Sequence, residues 1–308
     1  MKKMKRKVFK IALFVMILFA IFSLKNKILA KTAEESQENV VSGVIQEDTT
    51  WEKGSYYING NLTVNENVTL TVQEGVTIKI QNGRGIQVLG NLQLKGTAEN
   101  NINIQPQNAN EYLANIYVKG NGKIEAKYTN IEHVKGSGQV GNEYFMDIYG
   151  SLYLDNVKFY DIKEGAKLLT LGSKDIVIKN SILDGGILVV NKYGNLEIKN
   201  NRIYKILIDT ISNENYIIEN NIILSEDADA LKVNYVKVPG EFKVYNNCKE
   251  GQTRQQLQFA FGVFEKSMIL AEDNDCYFIN GLRIEANSTL TISKGNNLYI
   301  GEDKAIQI

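Results

Sequence analysis

The stretch "NLEIKNNRIYKILIDTISNENYIIENNII", residues 195–223, contains one phrase twice. Leu196, Ile198, Asn200 and Asn201 return as Tyr216, Ile218, Asn220 and Asn221. Both phrases alternate apolar and polar residues with a period of two, as a half-buried strand does, and both close on a pair of asparagines. Stacked on the first asparagine of the pair, the pattern extends in both directions. Asn130, Asn156, Asn180, Asn200, Asn220 and Asn246 form one column. Two residues earlier stand Tyr128, Leu154, Ile178, Ile198, Ile218 and Val244, and four earlier Ala126, Leu152, Ile176, Leu196, Tyr216 and Phe242. Three residues later stand His133, Phe159, Leu183, Ile203, Ile223 and Lys249.

A constant register with unequal loops is the mark of a solenoid. A unit of about 20 residues cannot bury its own apolar face and must stack on its neighbours. At ~3.3 Å per residue it draws a perimeter of roughly 66 Å, enough for three short strands and three bends. The expected fold class is therefore all-β, a right-handed parallel β-helix with an Asn ladder. Each amide would bond to the next turn, and asparagine tolerates the left-handed backbone of a sharp bend. Between the Ile and Asn columns lies an outward position held by Asp155, Lys179, Lys199, Glu219 and Tyr245, where acids and bases dilute one another. Short runs of the same kind ("NLTV", "TIKI", "GIQV", "NLQL", "NIYV", "SLYL") fill the chain from Trp51 onward.

The ends organise the rest. Residues 1–30 read as a signal peptide: a basic start (Lys2, Lys3, Lys5, Arg6, Lys7, Lys10), an apolar run from Ile11 to Leu24, and a cleavage point after Ala30, an uncleaved anchor being the alternative. Residues 31–48 read as a polar linker, 49–250 as the parallel β-helix and 251–275 as a junction or irregular coil. A second copy of the opening appears near the end, where residues 277–308 repeat residues 56–88 with one deletion. Residues 276–308 are thus the start of a second β-helix unit or a C-terminal cap. Without the leader the chain holds 27 basic and 35 acidic residues, a net charge of −8. That balance opposes binding to nucleic acid or to an anionic membrane, and no membrane span is expected in the mature chain. Two cysteines, Cys248 and Cys276, are too few for a disulfide framework, and one bridge between them stays open.

The segments "TTWEKGSYYINGNLTVNENVTLTVQEGVTIKI", "GIQVLGNLQLKGTAENNINI" and "AKYTNIEHVKGSG" together resemble the right-handed parallel β-helix domain of the pectate-lyase-like superfamily. They look most like the opening of bacterial secreted and surface proteins that carry it. The resemblance covers residues 49–247, with a restart near Tyr277, and implies a fold more than an activity. Pectate-lyase relatives hold calcium with outward acids and use Arg or Lys as base. Here Arg84, Arg202, Arg254 and Arg283 lie near no acid cluster in the sequence. The polygalacturonase-type motifs "NTD", "DD", "GHG" and "RIK" do not occur.

The remaining candidates are few. His133, the single histidine, falls in the apolar column and reads as a packed core or cap residue before a catalytic one, since imidazole chemistry needs a positioned partner. The acidic clumps Glu226-Asp227-Asp229 and Glu272-Asp273-Asp275 could hold Ca²⁺ through oxygen, but lack a Gly-punctuated loop and read as solvated acids. Tyr117, Tyr153 and Tyr193 are outward rings able to stack on sugars, or ordinary strand tyrosines. No catalytic, cofactor or metal residue is assigned. The expected function is that of an exported, non-catalytic protein of the bacterial surface or extracellular space, a scaffold or binder of polysaccharide, cell-wall glycan or a host surface. The alternative is a divergent polysaccharide lyase or glycoside hydrolase with its site in the long loops at 136–147 or 161–175, because loops carry function on rigid scaffolds.

Overall fold

The computed structural model describes residues 21–23, 25, 38–135, 144–162, 167–171, 174–190, 194–209, 215–227, 230–238, 241–252, 256–259, 262–266, 268–270 and 276–308. Residues 21–23 and 25 are helical. The rest of the leader lies outside the described residues, and among those described no helix is long and apolar enough to cross a membrane. From Val40 onward the chain is one parallel β-solenoid of the right-handed type.

Three faces run the length of its first part. Face A stacks Thr69–Gln73, Asn91–Lys95, 123–127, 151–155, Ile176–Lys179, Asn195–Lys199, Asn215–Glu219 and Glu241–Tyr245, each parallel to the next. Face B carries Thr77–Ile80, Ile102–Pro106, 129–131, 157–159, 182–183, 202–203 and Ile222–Ile223. Face C carries Gly85–Val88, Asn115–Val118, 146–148, 169–171, 187–190, 206–209 and 231–235. The strands form because every second side chain is apolar and turns inward, where Leu152, Leu154, Ile176, Ile178, Leu196, Ile198, Tyr216 and Ile218 are almost fully buried. Burying a side chain of this size contributes about 1.5–3 kcal/mol. The core is therefore a continuous column shared by all coils.

The bend from A to B divides between two columns the work expected of one. The left-handed backbone falls on Asn156, Asn180, Asn200, Asn220 and Asn246, with φ of 52–58°. The ladder belongs to the next residue. Asn201 donates from Nδ2 to Asn221 Oδ1 at 3.0 Å, and Asn221 does the same to Asn247 Oδ1 at 2.7 Å. The three amides are buried, and each also donates to a carbonyl of a face-A strand, Ile178, Ile198 or Ile218. Ser181 continues the column: its N–H donates to Asn201 Oδ1 at 2.8 Å, and its hydroxyl accepts the N–H of Val157 at 3.1 Å. A buried amide with donors and acceptor all satisfied costs little and fixes the register of neighbouring coils.

Asn130 does not belong to the column. Lys127 pairs with Asp155 and Thr129 with Val157, so Tyr128 is the residue opposite Asn156 and takes the left-handed bend, at φ 44°. The reading that aligned Asn130 with Asn156 is two residues out of register. The inward residue after that bend is Ile131, opposite Phe159, and His133 leaves the apolar column.

The stretch read as a linker also holds structure. Glu38–Ile45 is a strand that pairs with Ser55–Val64. Its acids and serine mask the alternation that puts Val41 and Ile45 against the core. Gln256–Phe259, Gly262–Phe264 and Met268–Leu270, in the segment read as a junction, are strands as well.

Candidate functional site

The longest bends follow face B, and the chemistry gathers at their roots. His133 and Asp161 are partners on adjacent coils, each just before a core residue of a paired position, Val134 and Ile162. Both take the left-handed backbone, with φ of 53°, a conformation that costs a non-glycine residue of order 1–3 kcal/mol and gathers at functional positions. His133 Nδ1 lies 2.9 Å from Asp161 Oδ2. The carboxylate thus fixes the imidazole and leaves Nε2 as the outward nitrogen. The ring of Tyr112 meets the imidazole edge-on at 6.1 Å. The Tyr112 segment is tied down by Leu113 N–H, which donates to the His133 carbonyl at 2.7 Å. Beside this pair, Glu132 stands opposite Tyr160. Burial first, then the hydrogen bond and charge of Glu132 and the charge of Asp161, hold the Tyr160 phenol above its ordinary value. Tyr112, Glu132, His133, Tyr160 and Asp161 therefore form one polar cluster. His133 sits in it half-buried and partnered, which corrects its reading as a core residue.

A second site lies on face C. Asn61, Thr63, Gln87, Asn115, Tyr117 and Lys119 line a shallow groove of about 200 Å³. Gly85 forms its floor and donates its N–H to Asn61 Oδ1 at 3.4 Å. A Cβ there would stand 2.6 Å from the Asn115 carbonyl, so only glycine lets the coils approach. Thr63, Gln87 and Tyr117 occupy one outward row on three successive coils, and the Lys119 ammonium stands 5.3 Å from the Tyr117 ring centre. The groove thus offers amides, a hydroxyl, an aromatic face and one cation. Further along this face Asp147 is buried, and its charge raises the phenol of Tyr149.

The corresponding depression on face A, about 250 Å³, is lined by Glu125, Lys127, Tyr153, Asp155 and Lys179. The Lys123 ammonium covers the Tyr153 ring at 4.6 Å and pairs with Glu125. Asp155 accepts hydrogen bonds from Asn156 and Asn180 at 2.9 Å. The mixed row continues to Lys199 and Glu219, paired at 3.0 Å. Burial pushes the Glu219 carboxyl up, yet the Tyr245 hydroxyl and the Lys199 ammonium outweigh it and hold it below the usual carboxylate value. This surface neutralises itself.

Of the other sequence candidates, Glu226 and Asp227 face Lys249 and Lys205 as surface ion pairs, at 3.9 and 3.5 Å. Asp229, Tyr193, Arg254 and the clump Glu272-Asp273-Asp275 lie outside the described residues. Arg202 is bound to Glu250 at 2.6 Å and Arg283 to Glu285 at 3.3 Å. Cys248 is a free, half-buried thiol. Among the described residues no group of three His, Cys, Asp or Glu gathers as a metal site. The dyad escaped the sequence reading because its members are 28 residues apart in loops of unequal length, and the two-residue slip at Asn130 hid their pairing. No family model, curated protein or solved structure matches the chain.

Proposed function

We propose that this chain is an exported, non-catalytic β-solenoid of the bacterial surface or extracellular space that binds glycan on face C and otherwise serves as a rigid scaffold. The groove around Tyr117 carries the reading. An aromatic face packs on the C–H face of a sugar ring, Asn61, Gln87 and Asn115 supply amides for hydroxyls, and Lys119 suits an acidic sugar. Export rests on the basic, then apolar, first 30 residues, and the pectate-lyase-like kinship on the opening motifs. A second reading, cleavage of polysaccharide by a divergent lyase or hydrolase, is favoured by one observation, the His133–Asp161 pair, which has the form of an oriented general base.

One experiment separates them. The chain is presented to uronic-acid and neutral polysaccharides, with retention on each, new unsaturated products and new reducing ends all measured. Retention without products, abolished in Tyr117→Ala and kept in His133→Ala, is the expected result. Products that vanish in His133→Ala make the second reading the correct one. No retention on any polysaccharide removes the glycan role and leaves the scaffold.

A further inference from the structure

The repeated opening unit has the same structure in both places and extends further than its sequence likeness. Asn67, Gly75 and Gly83 have positive φ, and so do their equivalents Asn287, Gly295 and Asp303. Leu62 pairs with Ile86 as Leu282 does with Ile306, Ile58 with Ile80 as Ile279 does with Ile300, and Trp51 with Val72 as Leu270 does with Ile292. The bond from Asn65 N–H to the Ile45 carbonyl returns as Glu285 N–H to the Phe264 carbonyl. That equivalence carries the unit back to Gly43-Val44-Ile45, which match Gly262-Val263-Phe264.

The two units differ in what covers them. The leading edge of the second unit is docked: 258–259 pair with 232–233, and 262–264 with 236–238. The strand Leu231–Val238 is long enough to serve both, and it opens a fourth face of the stack on which 262–264, 282–284 and 306–307 follow. The first unit's leading edge has no such strand on it among the described residues. Val44 is accordingly 53 % exposed where its equivalent Val263 is 9 %. The trailing coil shows the converse. Val72 and Ile80 of the first unit are 0 % and 3 % exposed beneath the coil of residues 91–106, whereas their equivalents Ile292 and Ile300 are 45 % and 50 % exposed. Tyr299 and Ile308 join them in an open apolar patch.

We infer that two copies of this chain stack head to tail, the leading edge at residues 40–45 of one seating on the trailing strands Asn297–Ile300 and Ile306–Gln307 of the other. The junction inside the chain is the template for this contact. There a leading edge of the same unit already closes on those two faces of a preceding coil, with parallel strand pairing and burial of the Val44 equivalent. Each copy offers one surface of each kind, so the contact is heterologous, does not close on itself, and builds linear chains. Open strand edges of this type pair with other chains unless charge blocks them.

The test is sedimentation of the full chain over a hundredfold range of concentration, with Val44→Lys as a blocked head and Ile300→Lys as a blocked tail. Both positions are exposed, and circular dichroism checks that both variants keep the β-fold. The wild type should give a concentration-dependent series of oligomers. Each variant alone should associate at least about tenfold more weakly, since a lysine on the edge opposes pairing. An equimolar mixture should regain association and stop at the heterodimer, because it retains one good head and one good tail. A wild type that stays monomeric overturns the inference. So does association unchanged in both variants, which would place it in the apolar segment of residues 11–24. Dimers of the blocked-head variant alone would indicate a symmetric tail-to-tail contact and equally refute the head-to-tail arrangement.

Discussion

Replacing Asn221 by alanine tests whether the buried ladder, and not the bend beside it, holds the coils in register. The Asn221 side chain makes four hydrogen bonds. Its Oδ1 accepts from Asn201 N–H and Asn201 Nδ2, both at 3.0 Å, and its Nδ2 donates to the Ile198 carbonyl at 2.9 Å and to Asn247 Oδ1 at 2.7 Å. Alanine removes all four. The Asn201 N–H is left buried with no acceptor, which costs ~1–3 kcal/mol, and each of the other bonds contributes ~0.5–1.5 kcal/mol net. The expected loss is about 3–5 kcal/mol. Asn215→Ala is the control: Asn215 also donates to an asparagine of the neighbouring coil, Asn195, at 2.8 Å, but at an exposed position. That bond competes with water, and its loss should cost about 1 kcal/mol or less. Urea unfolding followed by circular dichroism reads both, and a slope of ~3 kcal/mol/M converts the difference into roughly 1 M in midpoint. If the two variants unfold within about 0.3 M of each other, the buried amides do not carry the register and the argument fails.

The bend itself should respond to backbone conformation alone. At Asn200, φ 56°, valine should cost about 1–2 kcal/mol through its clash in the left-handed region while glycine stays within about 1 kcal/mol of asparagine; equal costs for the two would remove the conformational explanation. The Lys199–Glu219 pair should shape the pH dependence of stability. Glu219 is held low, so its contribution is present above the ordinary carboxylate value of ~4.3 and is lost as pH falls through the lower folded value. Lys199 is held high, chiefly by its hydrogen bond to Glu219, so its contribution is present below ~10.4 and is lost as pH rises through the higher folded value. In Glu219→Gln both limbs should flatten, and unchanged acid and alkaline midpoints would show that the pair contributes nothing.

The faces, the inward columns and the mixed outward row were legible because each depends on a local rule, and local rules survive unequal loops. Alternation of period two decides in from out wherever a strand is half-buried. It placed Leu196, Ile198, Tyr216 and Ile218 in the core and Lys199 and Glu219 side by side on the surface, as the pairing shows. The restart near Tyr277 was legible for the same reason. The strand at 38–45 was not, because its alternation is carried by four apolar residues among acids, serine and glycine, and composition dominates a stretch that short.

The slip at Asn130 has a different cause, and it also explains why the dyad stayed hidden. A strand register shifted by one residue turns every side chain to the wrong face and betrays itself. A register shifted by two returns each side chain to the face it came from. Moving the column from Tyr128 to Asn130 exchanged Ile124 for Ala126 and Ile131 for His133, and three of these four are buried apolar residues. Parity therefore offered no objection, and the asparagine at 130 looked like the better bend. What decides the register is the backbone, since the left-handed residue is Tyr128, a type that seldom adopts that conformation. An alignment on residue type cannot detect a bend made by an unfavoured residue. Once the bend is moved to Tyr128, His133 leaves the core and stands opposite Asp161. The error in the ladder and the oversight of the dyad are thus the same two-residue shift.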